Sequence, residues 1–385
     1  MASRQQDHKS SLPPGLPSPR HLLPRPPFAC PPGLAFAAPF NSSRPPLPIT
    51  LPCREMFDEC VIRGRRFAPA RFCAPLAGYT HSAFRRLVAG LGGCGALWTE
   101  MLAARQILSE NFNTSPWLRR RPQETCLVYQ LMLSAADPIP RIIDRLGEAG
   151  VDALDLNLAC NARVVRSCSA GSTLFANLDA LRAVLHQVRR LWPHVLTAKI
   201  RLGYYRPDWQ PAFVERMRLL EDAGVDAVIL HPRFSEEKLT RRARHEFFPW
   251  AVSLTRLPLI ANGDLTGVAM LRERVEHFQP VSAVMFGRMA IARPWIFSTW
   301  DRPGAVDLAR IWNTMSQYVA EDFPPAAALR RLQMFTKYFA ANFHFGHQFK
   351  VDLAGSTSLE EISQRAEAFF ARSPLTVLQP TFAGL

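Results

Sequence analysis

The 385 residues are 48% apolar and 20% charged, with 46 basic against 32 acidic side chains and a formal charge of +14. That balance excludes a wholly disordered chain and favours a polyanionic partner, because neutralised phosphates release their counterions. No apolar run approaches the ~20 residues of a membrane span, so no membrane association is expected. The eight cysteines form no Cys-x-x-Cys pair and no zinc spacing, which points to reduced thiols in a cytoplasmic protein with no metal site.

Taken in chain order, residues 1–66 read as a disordered, proline-rich extension. Fourteen of the 33 prolines fall within the first 53 residues, including Pro13-Pro14, Pro26-Pro27, Pro31-Pro32 and Pro45-Pro46. Such a stretch supports neither a helix nor a central strand. Met56 stands just before the first strong fold signal, so a start at that residue is also open.

From Phe72 onward, eight short apolar runs recur. They are Phe72–Leu76, Ala96–Thr99, Cys126–Leu131, Ala153–Asn157, Leu196–Ile200, Ala227–His231, Leu259–Asn262 and Ala283–Gly287. Amphipathic stretches alternate with them, among them Pro138–Ala149, Asp179–Leu191, Pro211–Ala223 and Thr266–Phe278. Strand alternating with helix predicts a parallel sheet, and eight such units over residues 67–300 predict an α/β fold of the (β/α)8 TIM barrel type. An open doubly wound sheet is the alternative, but no Gly-x-Gly-x-x-Gly turn follows any strand. Residues 301–385 switch to helical periodicity, with Leu308, Ile311, Trp312 and Met315 on one stripe and Leu329, Leu332, Phe335, Thr336 and Phe339 on another. They predict a small C-terminal helical domain, and from residue 305 onward its seven basic and seven acidic residues balance, so much of the positive excess belongs to the barrel.

Ligand groups in a parallel barrel come from the carboxyl ends of several strands. Cys160 lies just past the strand ending at Asn157, in the loop Asp155 to Leu174. A thiol there can move a proton, although a lone cysteine is also an ordinary small buried hydrophobe. The other strand ends give Pro75-Leu76-Ala77, Gln130, Lys199-x-Arg201, His231-Pro232-Arg233, Asn262-Gly263-Asp264 and Gly287-Arg288. Backbone at Pro75, Leu76 and Ala77 can approach a flat ring, Gln130 can donate and accept, Lys199 supplies a cation, and the last two strand ends are where such barrels hold phosphate. Basic residues follow the strands at Arg119, Arg120 and Arg121, at Arg163 and Arg166, and at Arg241, Arg242 and Arg244. Solvated charge is the default reading of such runs, and a path for RNA phosphates is the functional one.

The order Asp155-x-Asn157, Cys160, Val165 and Gly171-Ser172-x-Leu174 resembles the active-site signature of the tRNA-dihydrouridine synthases, and the similarity runs over nearly all of residues 72–297. The resemblance implies a flavoenzyme that reduces a uridine of tRNA with FMN and NADPH. It implies that Pro75, Leu76, Ala77, Gln130, Lys199, His231, Asn262, Gly263, Asp264, Gly287 and Arg288 hold FMN. Asn157 would lie between flavin and uridine, and Cys160 would donate the proton. The uridine would be flipped into the barrel mouth, with Arg119, Arg120, Arg121, Arg163 and Arg166 on the tRNA and the helical domain holding its body. A monomer is expected. The chain departs from the family at Ala159 and Asn161, where the usual setting of the cysteine is Gly-Cys-Pro, and at Pro232 and Phe234 beside His231. Two rivals remain at this stage: an FMN barrel acting on a free pyrimidine, and a catalytically impaired RNA-binding paralogue.

Overall fold

The computed structural model describes residues 56–300 and 304–382. Residues 1–55 of the expected extension lie outside these, but residues 56–66 do not bear out the expectation of disorder. Strand β1 (Cys60–Ile62) pairs antiparallel with β2 (Arg65–Phe67) in a hairpin. Its two turn residues, Arg63 and Gly64, both have positive φ, 48° and 72°, the backbone that matches the twist of a two-residue hairpin. Phe57, Ile62 and Phe67 are buried. Arg63 donates to the Pro193 carbonyl at 2.8 Å and pairs with Asp226, while Arg65 pairs with Asp152. All three partners precede barrel strands, so the hairpin closes the amino-terminal end of the barrel.

The barrel strands are β3 (Arg71–Cys73), β4 (Ala96–Trp98), β6 (Leu127–Met132), β7 (Ala153–Asn157), β8 (Val195–Arg201), β9 (Ala227–His231), β10 (Leu259–Asn262) and β11 (Ala283–Phe286). Each pairs in parallel with the next, β4 pairs with β6, and β11 pairs with β3, which closes the ring. The two-residue β5 (Leu102–Ala103) resumes the line of β4 after a break at Thr99-Glu100-Met101 and pairs with the far end of β6. The strands read as nearly unbroken apolar runs because helices cover their outer faces.

Those helices are α1 (Ser82–Leu91), α2 (Ile139–Glu148), α5 (Leu178–Leu191), α6 (Trp209–Asp222) and α7 (Phe247–Ser253), with the short α8 (Val268–Glu273), α9 (Val275–Phe278) and α10 (Arg288–Ala292). In α5 the buried set Leu181, Val184, Leu185 and Val188 follows the i, i+3, i+4, i+7 spacing, and the Asn177 side chain caps it by accepting from the Ala180 amide. The stretch Thr266–Phe278, expected as one helix, breaks at Arg274 (φ −127°, ψ 40°). The loop after β7 is not extended either. It folds into α3 (Arg163–Ser167) and α4 (Ser172–Ala176).

Register and alternation set the polarity of the interior. Phe72, Trp98, Val128 and Ile260 occupy its lower part, whereas Gln130, Asn157, Lys199, His231 and Asn262 gather toward the carboxyl ends. The polar floor of a site therefore lies where the loops open.

The carboxyl-terminal region contains α11 (Leu308–Asp322), α12 (Pro325–Phe339), α13 (Gly346–Ala354) and α14 (Leu359–Phe370), with the Trp312 indole donating to Thr336 Oγ1 at 2.9 Å and a ring cluster of Phe343, Phe349, Phe369 and Phe370. It packs on the barrel through α1 and α11. Asn342 donates to the Ala292 carbonyl at 2.7 Å, Arg331 to the Gly78 carbonyl at 2.9 Å, and Asp322 accepts from Ser82, Arg119 and Arg121.

Candidate active site

Adjacent strands place Gln130, Asp155 and Thr197 side by side in register. Gln130 Nε2 donates to Asp155 Oδ2 at 2.6 Å, Thr197 Oγ1 donates to Asp155 Oδ1 at 2.7 Å, and Asn157 Nδ2 donates to Gln130 Oε1 at 2.9 Å. Burial pushes the Asp155 carboxyl up to about 6, although both donors and the Lys199 charge favour its ionised form. The other end of Asn157 faces the chain that leaves β7. Its Oδ1 accepts from the Ala159 amide at 3.2 Å and the Cys160 amide at 2.9 Å. A buried hydrogen-bonded chain thus runs from the barrel interior to the backbone of Cys160, and fully satisfied networks of this kind are rigid.

Beside it opens a cavity of about 880 Å³, walled by Ala74-Pro75-Leu76, Lys199, Arg201, His231, Arg233, Arg241-Arg242, Asn262-Gly263-Asp264 and Gly287-Arg288, with Tyr338 and Phe382 from the carboxyl-terminal region. Lys199 is pushed down to about 8, first by burial and then by Arg201, against the opposing pull of Asp155 and Cys160. It is still mainly cationic at neutral pH. His231 is held well below its ordinary value by burial and by Lys199, Arg201, Arg233 and Arg288, so its ring is neutral, and Arg233 Nη1 lies 2.6 Å from its Nε2. The Arg233 guanidinium has no exposure and also donates to Asp264 at 2.6 Å, while Arg288 reaches the other Asp264 oxygen at 2.8 Å. Burial alone would raise Asp264, but these hydrogen bonds, the Ala243 amide and the two charges hold it below the usual carboxylate range. Asn262 Nδ2 is fixed on the Met285 carbonyl at 2.8 Å. At Gly263, with φ 110°, a Cβ would stand 2.7 Å from His231 Cδ2, so any side chain there would have to displace that ring.

The wall carries six lysine and arginine side chains against one carboxylate, which is already paired. A surplus of cation in a cavity of this size, beside a backbone turn at a φ that favours glycine, suits a flat ligand with a phosphate tail. FMN fits that description.

Of the residues singled out from sequence, Pro75, Leu76, Lys199, His231, Asn262, Gly263, Asp264, Gly287 and Arg288 come together on this wall. Ala77 is exposed on the same loop, and Gln130 and Asn157 sit behind the wall, with Gln130 1% exposed. Arg163 and Arg166 are exposed on α3, next to the Cys160 loop. Arg119, Arg120 and Arg121 lie elsewhere, not on the active face where the RNA path was expected. Arg119 and Arg121 are committed to the buried Asp322, and Arg120 reaches Asp152 at the amino-terminal end of β7 at 2.8 Å. A run of arginines carries no record of an acid some 200 positions away. Arg201 and Arg233, read at their strand ends as Lys199-x-Arg201 and His231-Pro232-Arg233, join the same wall. Tyr338 and Phe382 carry no signal in the sequence, because only tertiary packing brings them to the wall.

The dihydrouridine synthase (Dus) family model matches residues 72–372. Among curated proteins, tRNA-dihydrouridine synthase B of Proteus vulgaris is 26% identical over 315 residues, covering 78% of this chain and 96% of that protein. The enzyme of the same name from Pseudomonas aeruginosa is 29% identical over 257 residues, covering 64% and 76%. Among solved structures, the old yellow enzyme homologue of Zymomonas mobilis aligns over 67% of this chain and 96% of that one, at 13% identity and a TM-score of 0.46.

Proposed function

The chain belongs to the dihydrouridine synthase family, and we propose that it reduces a specific uridine of tRNA to 5,6-dihydrouridine, with FMN bound in the barrel mouth and NADPH as the reductant. The observation that carries this reading is the joining of two features at the carboxyl ends of the strands. A cation-walled cavity suited to FMN lies beside a cysteine whose backbone is tied to the barrel interior, and Cys160 is near enough to Lys199 and Arg201 for their charges to interact.

Bound there, FMN would supply the hydride that goes to C6 of the uracil ring. Lys199 and Arg201 would supply positive charge at the inner end of the cavity, and Arg288, which also pairs with Asp264, would supply it at the phosphate end. Pro75 would let backbone lie close to the ring system, and Gly263 would do the same at the phosphate end. His231, neutral and held by Arg233, donates or accepts without adding charge. The Cys160 thiol gives its proton to C5, and solvent returns it through the open side of the loop. Asn157, held by Gln130, positions that loop rather than the cavity wall. A stacked base cannot reach this depth, so the uridine must leave its stack. Arg163 and Arg166, exposed on α3, would meet the flanking phosphates.

The six unpaired cysteines among the described residues support a reducing, cytoplasmic setting. No described helix is long and apolar enough to cross a membrane. Mapping dihydrouridine in tRNA from a strain lacking this protein tests the reading. Loss of the modified base at one or more positions is expected, and a complete, unchanged set of dihydrouridines would overturn it.

A further inference from the structure

We infer that Asn161, Ser172 and Tyr204 form a positioning unit that fixes the backbone from which the Cys160 thiol projects, an inference that rests on the reading of Cys160 as the proton donor. Asn161 Oδ1 accepts from Ser172 Oγ at 3.0 Å and from Tyr204 Oη at 3.1 Å, and the two hydroxyls are 3.2 Å apart. Three polar atoms from three segments therefore meet in a triangle. Asn161 directly follows the thiol, Ser172 opens α4, and Tyr204 lies on the loop after β8.

The same segments grip the Cys160 backbone from both sides. Its carbonyl accepts from the Ser172 amide at 2.9 Å, and its amide donates to Asn157 at 2.9 Å. Gly171, at φ 59°, presses so close that a Cβ would stand 2.4 Å from that carbonyl. With the peptide groups before and after Cys160 both held, the torsions of its own side chain are the main remaining freedom. Ser172 is 1% exposed, and its hydroxyl is shared between Asn161 and Tyr204, so a variant of either removes one of its two partners. Neither Ala159 nor Asn161 has a ring to restrict the backbone, so the stiffness that a proline would supply by covalent means comes from these hydrogen bonds. The loop after β8 that carries Tyr204 is itself anchored, because the Gly203 carbonyl accepts from the Ser235 amide at 2.7 Å.

The test uses the flavin-loaded full chain. Asn161→Ala, Tyr204→Phe and the double variant are compared with wild type for two quantities: the rate at which iodoacetamide alkylates Cys160, followed by peptide mapping to separate it from exposed Cys168, and kcat and KM for uridine reduction in tRNA. Alkylation is expected to change by about threefold or more, and kcat to fall about tenfold with KM little altered, as for a displaced catalytic group. The double variant should be no worse than Asn161→Ala, since both substitutions act through one oxygen. Unchanged alkylation with unchanged kcat overturns the inference, and so does a rise in KM alone, which would place these residues on the RNA. Should Asn161→Ala fail to fold, Tyr204→Phe, which removes a single hydroxyl, decides. If Cys160→Ala stays fully active, the reading of the thiol fails, and the alkylation rate still decides whether the unit orders the loop.

Discussion

Replacing Lys199 by Met keeps most of the buried stem and removes the charge. Because burial, and then Arg201, bring the ammonium down to about 8, it is charged at pH 7 and loses that charge within an accessible range. A hydrogen bond to a charged group is worth about 1.5–3 kcal/mol, so Lys199→Met apoprotein should bind FMN roughly 10- to 150-fold more weakly at neutral pH. In wild type the same loss should develop as the pH rises through about 8, and the two affinities should converge about one to two pH units higher. Stability moves the other way. A base whose folded value is depressed costs the fold while it is protonated, so wild-type apoprotein should gain stability between about 8 and 10.5. Lys199→Met apoprotein should correspondingly be the more stable at pH 7, by at most roughly 3 kcal/mol. Fluorescence titration of flavin into apoprotein across this range, with urea melts of the same samples, measures both. A dissociation constant that ignores both the substitution and the pH would refute the placing of Lys199 against the flavin.

Gly263→Ala should fold but lose flavin during purification, since the new methyl must displace the His231 ring at a backbone angle that alanine avoids by about 1 kcal/mol or more; full flavin content would contradict the described turn. Asp322→Ala should destabilise the chain by about 3 kcal/mol in urea, because Arg119 and Arg121 lose their shared acid between barrel and helical region, and a change below about 1 kcal/mol would show that this contact is dispensable. Charge reversal at Arg163 and Arg166 should weaken tRNA binding and lower the slope of its salt dependence by about one unit per lost phosphate contact, whereas an unchanged slope would move the RNA to another face.

Much of the barrel was legible because buried parallel strands have few disguises. The bounds of β7, β9 and β10 coincide with their apolar runs, since both faces of each strand are covered. The first barrel strand stops at Cys73 rather than Leu76, where Pro75 lacks a donor for the ladder. The hairpin of β1 and β2 was missed because its strands are three residues long and its turn is Arg-Gly rather than Asn-Gly, directly after a proline-rich tract. At the site, residues that end strands were readable one by one, and the network behind them was not. Nothing in the spacing of Gln130 and Asn157 says that they bond to each other and, through Asn157, to the backbone of Cys160. The arginine run at Arg119–Arg121 shows the opposite failure, because its charge was visible and the buried acid that absorbs it was not.

The central claim is that this chain places an acid, Cys160, beside a flavin to reduce uridine in RNA. Its most direct test is a single-turnover reaction of flavin-loaded protein with an unmodified tRNA transcript and NADPH, followed by nucleoside mass spectrometry. Wild type and Cys168→Ala should add two hydrogens to uridine, while Cys160→Ala should keep its flavin and still oxidise NADPH with a general acceptor, yet be slower on uridine by roughly 10²- to 10⁴-fold, the usual contribution of a positioned acid. Uridine reduction at the wild-type rate by Cys160→Ala, or its loss in Cys168→Ala alone, would contradict the account.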